Sequence, residues 1–242
     1  SDGITAHIAP AAAPPWYGQR RAVLKVDWST IRTVLLDMDG TLLDLHYDNY
    51  FWLEHVPRRY AEYHGVELEG ARAQLYERFA RHSGTLNWYC TDFWSSELAL
   101  DIVQLKHEIA HLIAVRPDVP AFLNAVRKAD RRVVLVTNAH PNSLNLKMRE
   151  TGLDSYFDAL VSSHQVGLPK EHPDFWHGLQ SIEAFDIAHT LFVDDSLPVL
   201  RSAQRYGIAQ LLAVCNPDSK QPHKDCGEFV GISSFAEVMP TE

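Results

Sequence analysis

Short apolar runs alternate with helical patterns from about residue 31 onward. Five of these runs predict buried strands at residues 34–36, 133–136, 159–161, 191–193 and 211–214. Between them, apolar residues recur every three or four positions, as in residues 119–126, and predict helices. Near-continuous apolar strands that alternate with helices predict an α/β fold with a doubly wound, Rossmann-like parallel sheet that is covered on both faces.

The alternation stops between about residues 46 and 115, where Trp, Tyr, Arg, Glu and Leu occur at helical spacing with little strand signal. This segment directly follows the first predicted strand. We expect residues 46–115 to form an inserted, all-helical cap domain on a core domain of residues 28–45 and 116–242. We interpret residues 1–27 as a Pro/Ala-rich arm, because they lack the basic and continuous apolar regions of a signal peptide.

The composition excludes several classes of partner. The 242-residue chain is 46% hydrophobic, enough for one sizeable core, and has a net charge of −9. That charge argues against binding to nucleic acid or to an anionic membrane, and no apolar run is long enough to span a bilayer. The three cysteines, Cys90, Cys215 and Cys226, are odd in number and predict reduced thiols in a cytoplasmic protein without disulfides. The sequence leaves the oligomeric state open.

Polar residues at the ends of three predicted strands are the candidates for chemistry, because parallel α/β sheets bind ligands at the carboxyl ends of their strands. These residues are Asp37 and Asp39, Thr137 and Asn138, and Asp194 and Asp195. Residues two positions apart in an extended segment point to the same side, so Asp37 and Asp39 can face one pocket.

Carboxylates that converge on one region repel one another, and a hard divalent cation with oxygen ligands relieves that repulsion. Mg²⁺ fits, because it accepts few protein ligands and keeps several waters. Asp194 and Asp195 are adjacent, so we expect only one of them to bind the ion directly. Taken singly, each aspartate could instead be a turn or helix-capping residue.

The motifs resemble those of the haloacid-dehalogenase-like (HAD) phosphohydrolases. DMDGT at residues 37–41 is similar to the first motif of that superfamily. VVLVTN at 133–138, Lys170 in GLPKEHPDFW, and LFVDDS at 191–196 resemble the second, third and fourth motifs, in the family order. A cap between the first two motifs is typical of members with a helical C1-type cap. Within the superfamily, TVLLDMDGTLLDLHYDNYFW, TLNWYC, TNAHP and NPDS resemble stretches of bacterial GMP/IMP 5′-nucleotidases.

The resemblance implies a Mg²⁺-dependent hydrolase of phosphomonoesters. Asp37 would be the nucleophile and form an aspartyl-phosphate. Asp39 would protonate the leaving oxygen and then activate water. Mg²⁺ would be held by the carboxylates of Asp37 and Asp194 and by the backbone carbonyl of Asp39. Asp195 would act through water or by orienting a neighbour.

The same resemblance assigns the binding of the phosphoryl group. Thr137, the backbone of Asn138, and Lys170 would neutralise charge on its oxygens. The implied substrate is a small molecule, in particular a purine nucleoside monophosphate.

The cap would select the substrate through TLNWYCTDFW at residues 85–94. Trp88 and Tyr89 could stack on a base. Asn87 or Asp92 could accept a hydrogen bond from N1–H of guanine or hypoxanthine, which adenine lacks. These residues could equally form the hydrophobic core and helix caps of the cap domain.

Other interpretations remain open at this stage. A HAD phosphatase or phosphomutase acting on small sugar phosphates or phosphoglycolate would use the same nucleophile. A non-catalytic binding module is disfavoured because all four motif positions are present. HEIAH at residues 107–111 matches a zinc-protease pattern, which we attribute to chance because histidines are frequent here. We interpret Asp44 and Asp48 as solvated residues and His140 as a turn residue.

Overall fold

The computed structural model describes residues 24–241. The predicted arm at residues 1–27 lies outside the described residues as far as residue 23. Six parallel strands form one sheet in the order β3-β2-β1-β4-β5-β6. They are β1 Thr33–Leu36, β2 Arg132–Thr137, β3 Ala159–Ser162, β4 Thr190–Asp194, β5 Gln210–Val214 and β6 Val230–Ile232.

The five predicted strands are confirmed, and β6 was missed. Its three residues, Val-Gly-Ile, lie at the edge of the sheet, where a short strand with a central glycine carries little sequence signal. The strand order places β1 between β2 and β4. The direction of the connections reverses beside β1, and a ligand crevice is expected at that point.

Ten α-helices occur in the described residues. Five follow β1 directly: α1 His46–Tyr50, α2 Val56–His64, α3 Leu68–His82, α4 Thr91–Leu98 and α5 Ile102–Glu108. A π-helical segment, Phe51–His55, joins α1 to α2. The other five alternate with the strands: α6 Val119–Lys128, α7 Pro141–Thr151, α8 Ser163–Val166, α9 Phe175–Ile182 and α10 Leu197–Tyr206.

Helices cover both faces of the sheet, as the apolar pattern predicts. Along β1, Val34 and Leu36 belong to one hydrophobic cluster with residues of α6 and α7. Leu35 points to the opposite face and belongs to a second cluster with residues of α9 and α10. Because side chains alternate along a strand, β1 contributes residues to two separate hydrophobic cores. The predicted fold class, a doubly wound sheet with an inserted helical cap, is confirmed.

The inserted helices α1 to α5 have a hydrophobic core of their own. Tyr47, Phe51, Leu75, Trp94 and Ile102 are among its buried members. This separate core supports the division that we propose, a cap at residues 46–115 on a core of 28–45 and 116–242. No helix within residues 24–241 has both the length and the hydropathy needed to cross a membrane.

The prediction of three reduced cysteines is wrong for two of them. Cys215 and Cys226 form a disulfide, with 5.8 Å between their Cα atoms. Cys215 follows β5, and the connection to β6 folds back onto that end of the strand, since the N–H of Lys224 donates to the carbonyl of Cys215 at 2.8 Å. Since β6 was not predicted, no sequence pattern indicated that the two thiols would pair. Cys90 is a free thiol.

Candidate active site

The candidate site lies at the carboxyl ends of the two central strands. Asp37 follows β1 directly, and Asp194 is the last residue of β4. The two strands pair in register from Thr33 with Thr190 to Leu36 with Val193, and the backbone N–H of Asp37 donates to the carbonyl of Val193 at 3.0 Å. Residues more than 150 positions apart along the chain therefore become neighbours.

Lys170 links these two carboxylates. Its Nζ lies 2.8 Å from Asp37 Oδ1 and 2.8 Å from Asp194 Oδ2, and it donates to the carbonyl of Val136 at 2.8 Å. Burial of the ammonium opposes its charge, but Asp194 and Asp37 outweigh that effect and raise the pKa of Lys170. The backbone N–H of Lys170 donates to Asn138 Oδ1 at 2.8 Å, so the predicted second and third motifs support each other.

The carboxylates of Asp37, Asp194 and Asp195 form one group, with oxygens that lie within 4.8 Å of one another. Burial and the charge of Asp37 raise the pKa of Asp194 to about 6, and they raise the pKa of Asp195 well above its usual value. Lys170 contacts only two of the three. The donor set of hard, buried, mutually repelling oxygens fits Mg²⁺.

Asp195 is part of this group although it is adjacent to Asp194. The strand ends at Asp194, so strict alternation of side chains no longer applies to the next residue. Ser196 N–H donates to Asp194 Oδ1 at 2.8 Å and thereby orients that carboxylate. The carboxylate of Asp39 lies outside the three-residue group.

Asp39 instead forms an ion pair that the sequence did not reveal. Lys147 Nζ lies 2.7 Å from Asp39 Oδ1 and 2.8 Å from Asp48 Oδ1, with only 2% of the lysine side chain exposed. Burial and the nearby charge of Asp48 raise the pKa of Asp39 to about 6, against the opposing effect of Lys147. The raised pKa favours the protonated form of Asp39, which is the form that a general acid needs.

The interpretation of Asp48 as a solvated residue is wrong, because its side chain is only 17% exposed and pairs with Lys147. Asp44 has a structural contact as well, since its Oδ1 accepts from the N–H groups of His46 and Ser219 at 2.9 and 3.1 Å. Both residues lie where the chain leaves the core for the cap. Lys147 and Ser219 reach these carboxylates from segments distant in sequence, and local patterns do not report such contacts.

Hydroxyl groups complete the polar end of the site. Thr41 Oγ1 donates to Asp37 Oδ2 at 3.0 Å and so orients the predicted nucleophile. Thr137 ends β2, is buried, and accepts from the N–H of Ala139 at 3.0 Å. The Asn138 Nδ2 group donates to Glu171 at 2.9 Å.

A cavity of about 390 Å³ joins this polar end to the cap. Its polar lining consists of Asp37, Asp39, Thr137, Asn138, Ser143, Lys147, Lys170, Asp194, Asp195 and Ser196, together with cap residues Asp48, Asn49 and Lys106. Its aromatic lining consists of Trp52, Tyr76, Phe79, Trp88 and Tyr89. A small phosphorylated molecule with a flat, apolar part would fit this arrangement.

The structure separates the four predicted cap residues into two pairs. Trp88 and Tyr89 line the cavity, whereas Asn87 and Asp92 are exposed and do not. Trp88 also packs against Trp52 with ring centroids 5.6 Å apart, so it serves the cap core as well as the cavity. The Tyr89 hydroxyl donates to Glu171 at 2.9 Å, and burial, with the charge of that glutamate, raises the pKa of Tyr89.

Asp92 lies at a different contact between cap and core. Its Oδ2 is 3.4 Å from Nε2 of His140, and it forms a loose group with Cys90 and that histidine. His140 Nδ1 accepts from the N–H of Asn142 at 3.1 Å, so it is the residue that caps α7.

The zinc-protease pattern at residues 107–111 does not form a site. The helix α5 ends at Glu108, so His107 and His111 do not share one helical face. Both side chains are exposed. The attribution of this pattern to chance agrees with that geometry.

Gly40 is the position at which the backbone and the site are most tightly coupled. Its φ is +84°, and a Cβ added there would lie 2.7 Å from Asp195 Oδ2. We expect Gly40→Ala to lower the free energy of unfolding by about 1–2 kcal/mol, from the strain of a left-handed backbone conformation alone. We also expect it to lower hydrolytic activity by displacing the Asp195 carboxylate, measured as kcat/KM alongside the free energy of unfolding.

Gly152 provides a matched control for this substitution. It also has a positive φ, +68°, but no atom lies within 4 Å of an added Cβ. Gly152→Ala should therefore lose stability without losing activity per folded molecule. If both variants lose the same fraction of activity, the close approach of Gly40 to Asp195 has no catalytic consequence.

Comparison with known proteins agrees with the fold and the motifs. Residues 31–207 match the haloacid dehalogenase-like hydrolase family. The GMP/IMP nucleotidase YrfG of Escherichia coli (strain K12) is 38% identical over 218 residues, which are 90% of this chain and 98% of the relative. The protein of the same name from Shigella flexneri matches equally well.

Two solved structures share the fold. A HAD phosphatase from Thermococcus onnurineus superimposes with a TM-score of 0.70 at 23% identity, over 86% of this chain and 96% of the other. An L-2-haloacid dehalogenase from Xanthobacter autotrophicus gives a TM-score of 0.55 at 20% identity, over 77% and 78% of the two chains.

The family match and the 38% identical relatives confirm the predicted superfamily resemblance and the prediction of an enzyme of the phosphatase class. The family match spans all four motifs, from the strand before Asp37 to the helix after Asp195. This protein belongs to the haloacid dehalogenase-like hydrolases.

Proposed function

We propose that this enzyme is a Mg²⁺-dependent phosphomonoester hydrolase that acts through an aspartyl-phosphate, with purine 5′-nucleotides such as GMP and IMP as substrates. The observation that carries the proposal is the contact of Lys170 Nζ with both Asp37 and Asp194 at 2.8 Å, at the polar end of the cavity. It combines a nucleophile, a cation for the phosphoryl oxygens and a carboxylate for a metal in one place.

In the first step, an oxygen of Asp37 attacks phosphorus and the bond from phosphorus to the ester oxygen breaks. Asp39 gives its proton to the departing oxygen. In the second step, Asp39 takes a proton from water as the water oxygen attacks phosphorus, which frees Asp37 and inorganic phosphate. Lys170, Thr137 and the backbone of Asn138 neutralise charge on the phosphoryl oxygens.

Asp37, Asp194 and Asp195, with the backbone carbonyl of Asp39, would hold the metal ion. When bound, Mg²⁺ supplies positive charge that screens the nucleophile from the phosphate and holds the two in line. The crowding of three carboxylates, of which Lys170 contacts only Asp37 and Asp194, supports this assignment.

Asp39 favours phosphate esters over haloacids. A halide leaves without accepting a proton, whereas an alkoxide leaving from phosphorus requires one. The raised pKa of Asp39, about 6, and its position on the cavity are those of a general acid for an oxygen leaving group.

The cavity and the relatives support a purine nucleotide. The aromatic lining of Trp52, Phe79 and Trp88 offers faces on which a base can stack. The 38% identical E. coli relative is a GMP/IMP nucleotidase, and this chain covers 98% of it. We therefore place the phosphate at Lys170 and the base against the cap.

A substrate panel tests this proposal. Phosphate release is measured with Mg²⁺ from GMP, IMP, AMP, pyrimidine nucleotides, phosphoglycolate and sugar phosphates. We expect the highest kcat/KM for GMP and IMP. A higher value for a sugar phosphate, or formation of an isomeric sugar phosphate with a bisphosphate activator, would favour the phosphatase or phosphomutase alternatives.

The same panel measures the dependence on metal. EDTA should reduce phosphate release to background, and excess MgCl₂ should restore it, because the acidic group requires a cation to bind an anionic substrate. Activity that persists in EDTA after dialysis would refute the metal dependence without affecting the choice of substrate.

A further inference from the structure

Lys106 is a buried lysine whose ammonium has no acceptor. The side chain belongs to α5 and lines the cavity, and the residue is only 5% exposed. Within residues 24–241, its Nζ has neither a hydrogen-bond nor an ion-pair partner. The two other fully buried lysines on the cavity, Lys147 and Lys170, each contact two carboxylates at 2.7–2.8 Å.

Aromatic rings, in place of carboxylates, surround the Lys106 ammonium. Its Nζ lies 4.4 Å from the ring centroid of Phe51, 5.4 Å from that of Trp52 and 5.9 Å from that of Tyr47. The Tyr47 hydroxyl donates to the carbonyl of Lys106 at 2.8 Å and fixes the backbone there. The rings attract the cation but leave its hydrogen-bond capacity unused.

Burial of such an ammonium costs free energy. Burial, with the nearby charge of Lys147, lowers the pKa of Lys106 to about 8, despite the opposing charges of Asp48 and Asp39. The rings attract the charge, but no protein acceptor replaces the hydrogen bonds that water makes to an exposed ammonium. A ligand that brings an acceptor into the cavity would recover that loss, so the free enzyme is prepared for such a ligand.

The phosphate does not require Lys106 as a donor, since Lys170, Thr137 and Asn138 already occupy that end of the cavity. Lys106 lies on the cap side, next to Trp52, where the base would stack. Guanine and hypoxanthine both present acceptors at O6 and N7, whereas adenine presents an amino group at position 6. An ammonium can only donate, so it could pair with both O6 and N7 of the first two bases, whereas adenine offers it N7 alone and opposes it with the amino group at position 6.

We propose that Lys106 Nζ donates to the O6/N7 edge of a 6-oxopurine and is the residue that selects GMP and IMP over AMP. This inference rests on the proposed function and names the group that reads the base. Lys106 lies inside the cavity and can contact the base there, whereas Asn87 and Asp92, which the sequence suggested for this role, do not line the cavity.

The test compares Lys106→Met with the wild-type enzyme, using the full chain with Mg²⁺. Methionine keeps a long apolar side chain among the rings but has no donor. We expect kcat/KM for GMP and IMP to fall by about 10- to 100-fold, as for loss of a specific base contact. The values for AMP and for p-nitrophenyl phosphate, which has no base edge, should change little. Lys128→Met, at an exposed lysine of α6, controls for loss of positive charge.

Modified substrates separate this contact from recognition of N1–H. With wild-type enzyme, 1-methyl-IMP keeps O6 and N7 and should remain a substrate, whereas purine riboside monophosphate lacks O6 and should be poor. In Lys106→Met, the difference between IMP and purine riboside monophosphate should disappear. Retention of that difference would overturn the inference.

The outcomes distinguish the two proposals. If the wild-type enzyme hydrolyses small phosphomonoesters but does not prefer IMP to AMP, the proposed substrate class fails and the role of Lys106 fails with it. If the wild-type preference exists and Lys106→Met keeps it, only the role of Lys106 fails. A parallel loss for all substrates with a lower Tm would identify Lys106 as a structural residue of the cap core and overturn its role in selection.

Discussion

The Asp37→Asn variant is expected to release phosphate from GMP at least ~10⁴-fold more slowly than the wild-type enzyme, as is usual when a covalent nucleophile is lost. An amide oxygen is too weak a nucleophile to attack phosphorus. The substitution leaves the side-chain shape unchanged, so Thr41 and Lys170 can still contact the residue. Single-turnover and steady-state phosphate release with Mg²⁺ both measure the effect.

Folding should not explain this loss of activity. Asn removes one charge from a group in which Asp194 and Asp195 already have raised pKa values, so mutual repulsion falls. Without Mg²⁺, the Tm of the variant should therefore equal or exceed that of the wild-type enzyme. Loss of both activity and Tm would mean that Asp37 has a structural role that its contacts do not indicate.

A matched control and a direct measurement complete the test. Asp44→Asn makes the same chemical change near the site, at a residue that does not line the cavity, and should keep activity. Acid-quenched wild-type enzyme should carry a phosphoryl group on Asp37 by intact mass and peptide mapping. A phosphoryl group trapped elsewhere, or full activity of Asp37→Asn, would rule out covalent catalysis by this residue.

Much of this site could be anticipated because the apolar runs mark where strands end. The side chains after β1, β2 and β4 meet since parallel strands present the same end to one edge. Lys170 follows no strand of this kind, and only its place in the motif order pointed to it. A single lysine in a polar segment is otherwise most often a solvated surface residue.

Lys147 and Lys106 were missed for the same reason, because a single lysine is expected to be solvated. Lys147 lies three residues after Leu144 on the buried face of α7, and Lys106 lies four residues after Ile102 on that of α5. A lysine within an apolar stripe is a usable signal of a buried cation. The pattern cannot give its partner, however, because Asp48 approaches Lys147 from the cap.

The Asp39→Asn variant is expected to slow phosphoryl transfer from GMP by ~10²- to 10⁴-fold, the usual contribution of a general acid. The nucleoside alkoxide is a poor leaving group that requires a proton, and the amide cannot supply one. p-Nitrophenolate leaves without a proton, so transfer from p-nitrophenyl phosphate should slow far less. Single-turnover measurements are needed because hydrolysis of the aspartyl-phosphate, which also uses Asp39, should slow equally for both substrates.

Asp48→Asn is the control for this variant, because it too weakens an ion pair with Lys147 but keeps the Asp39 carboxyl, whose pKa it should lower by removing a neighbouring negative charge. If general acid catalysis is the role of Asp39, Asp39→Asn should discriminate between the two leaving groups far more strongly than Asp48→Asn. If both variants slow both substrates by the same factor, the two carboxylates serve chiefly to hold Lys147. The proton for the leaving oxygen must then come from elsewhere. Among residues 24–241, the only carboxylate lining the cavity besides Asp39 and the three-residue acidic group is that of Asp48.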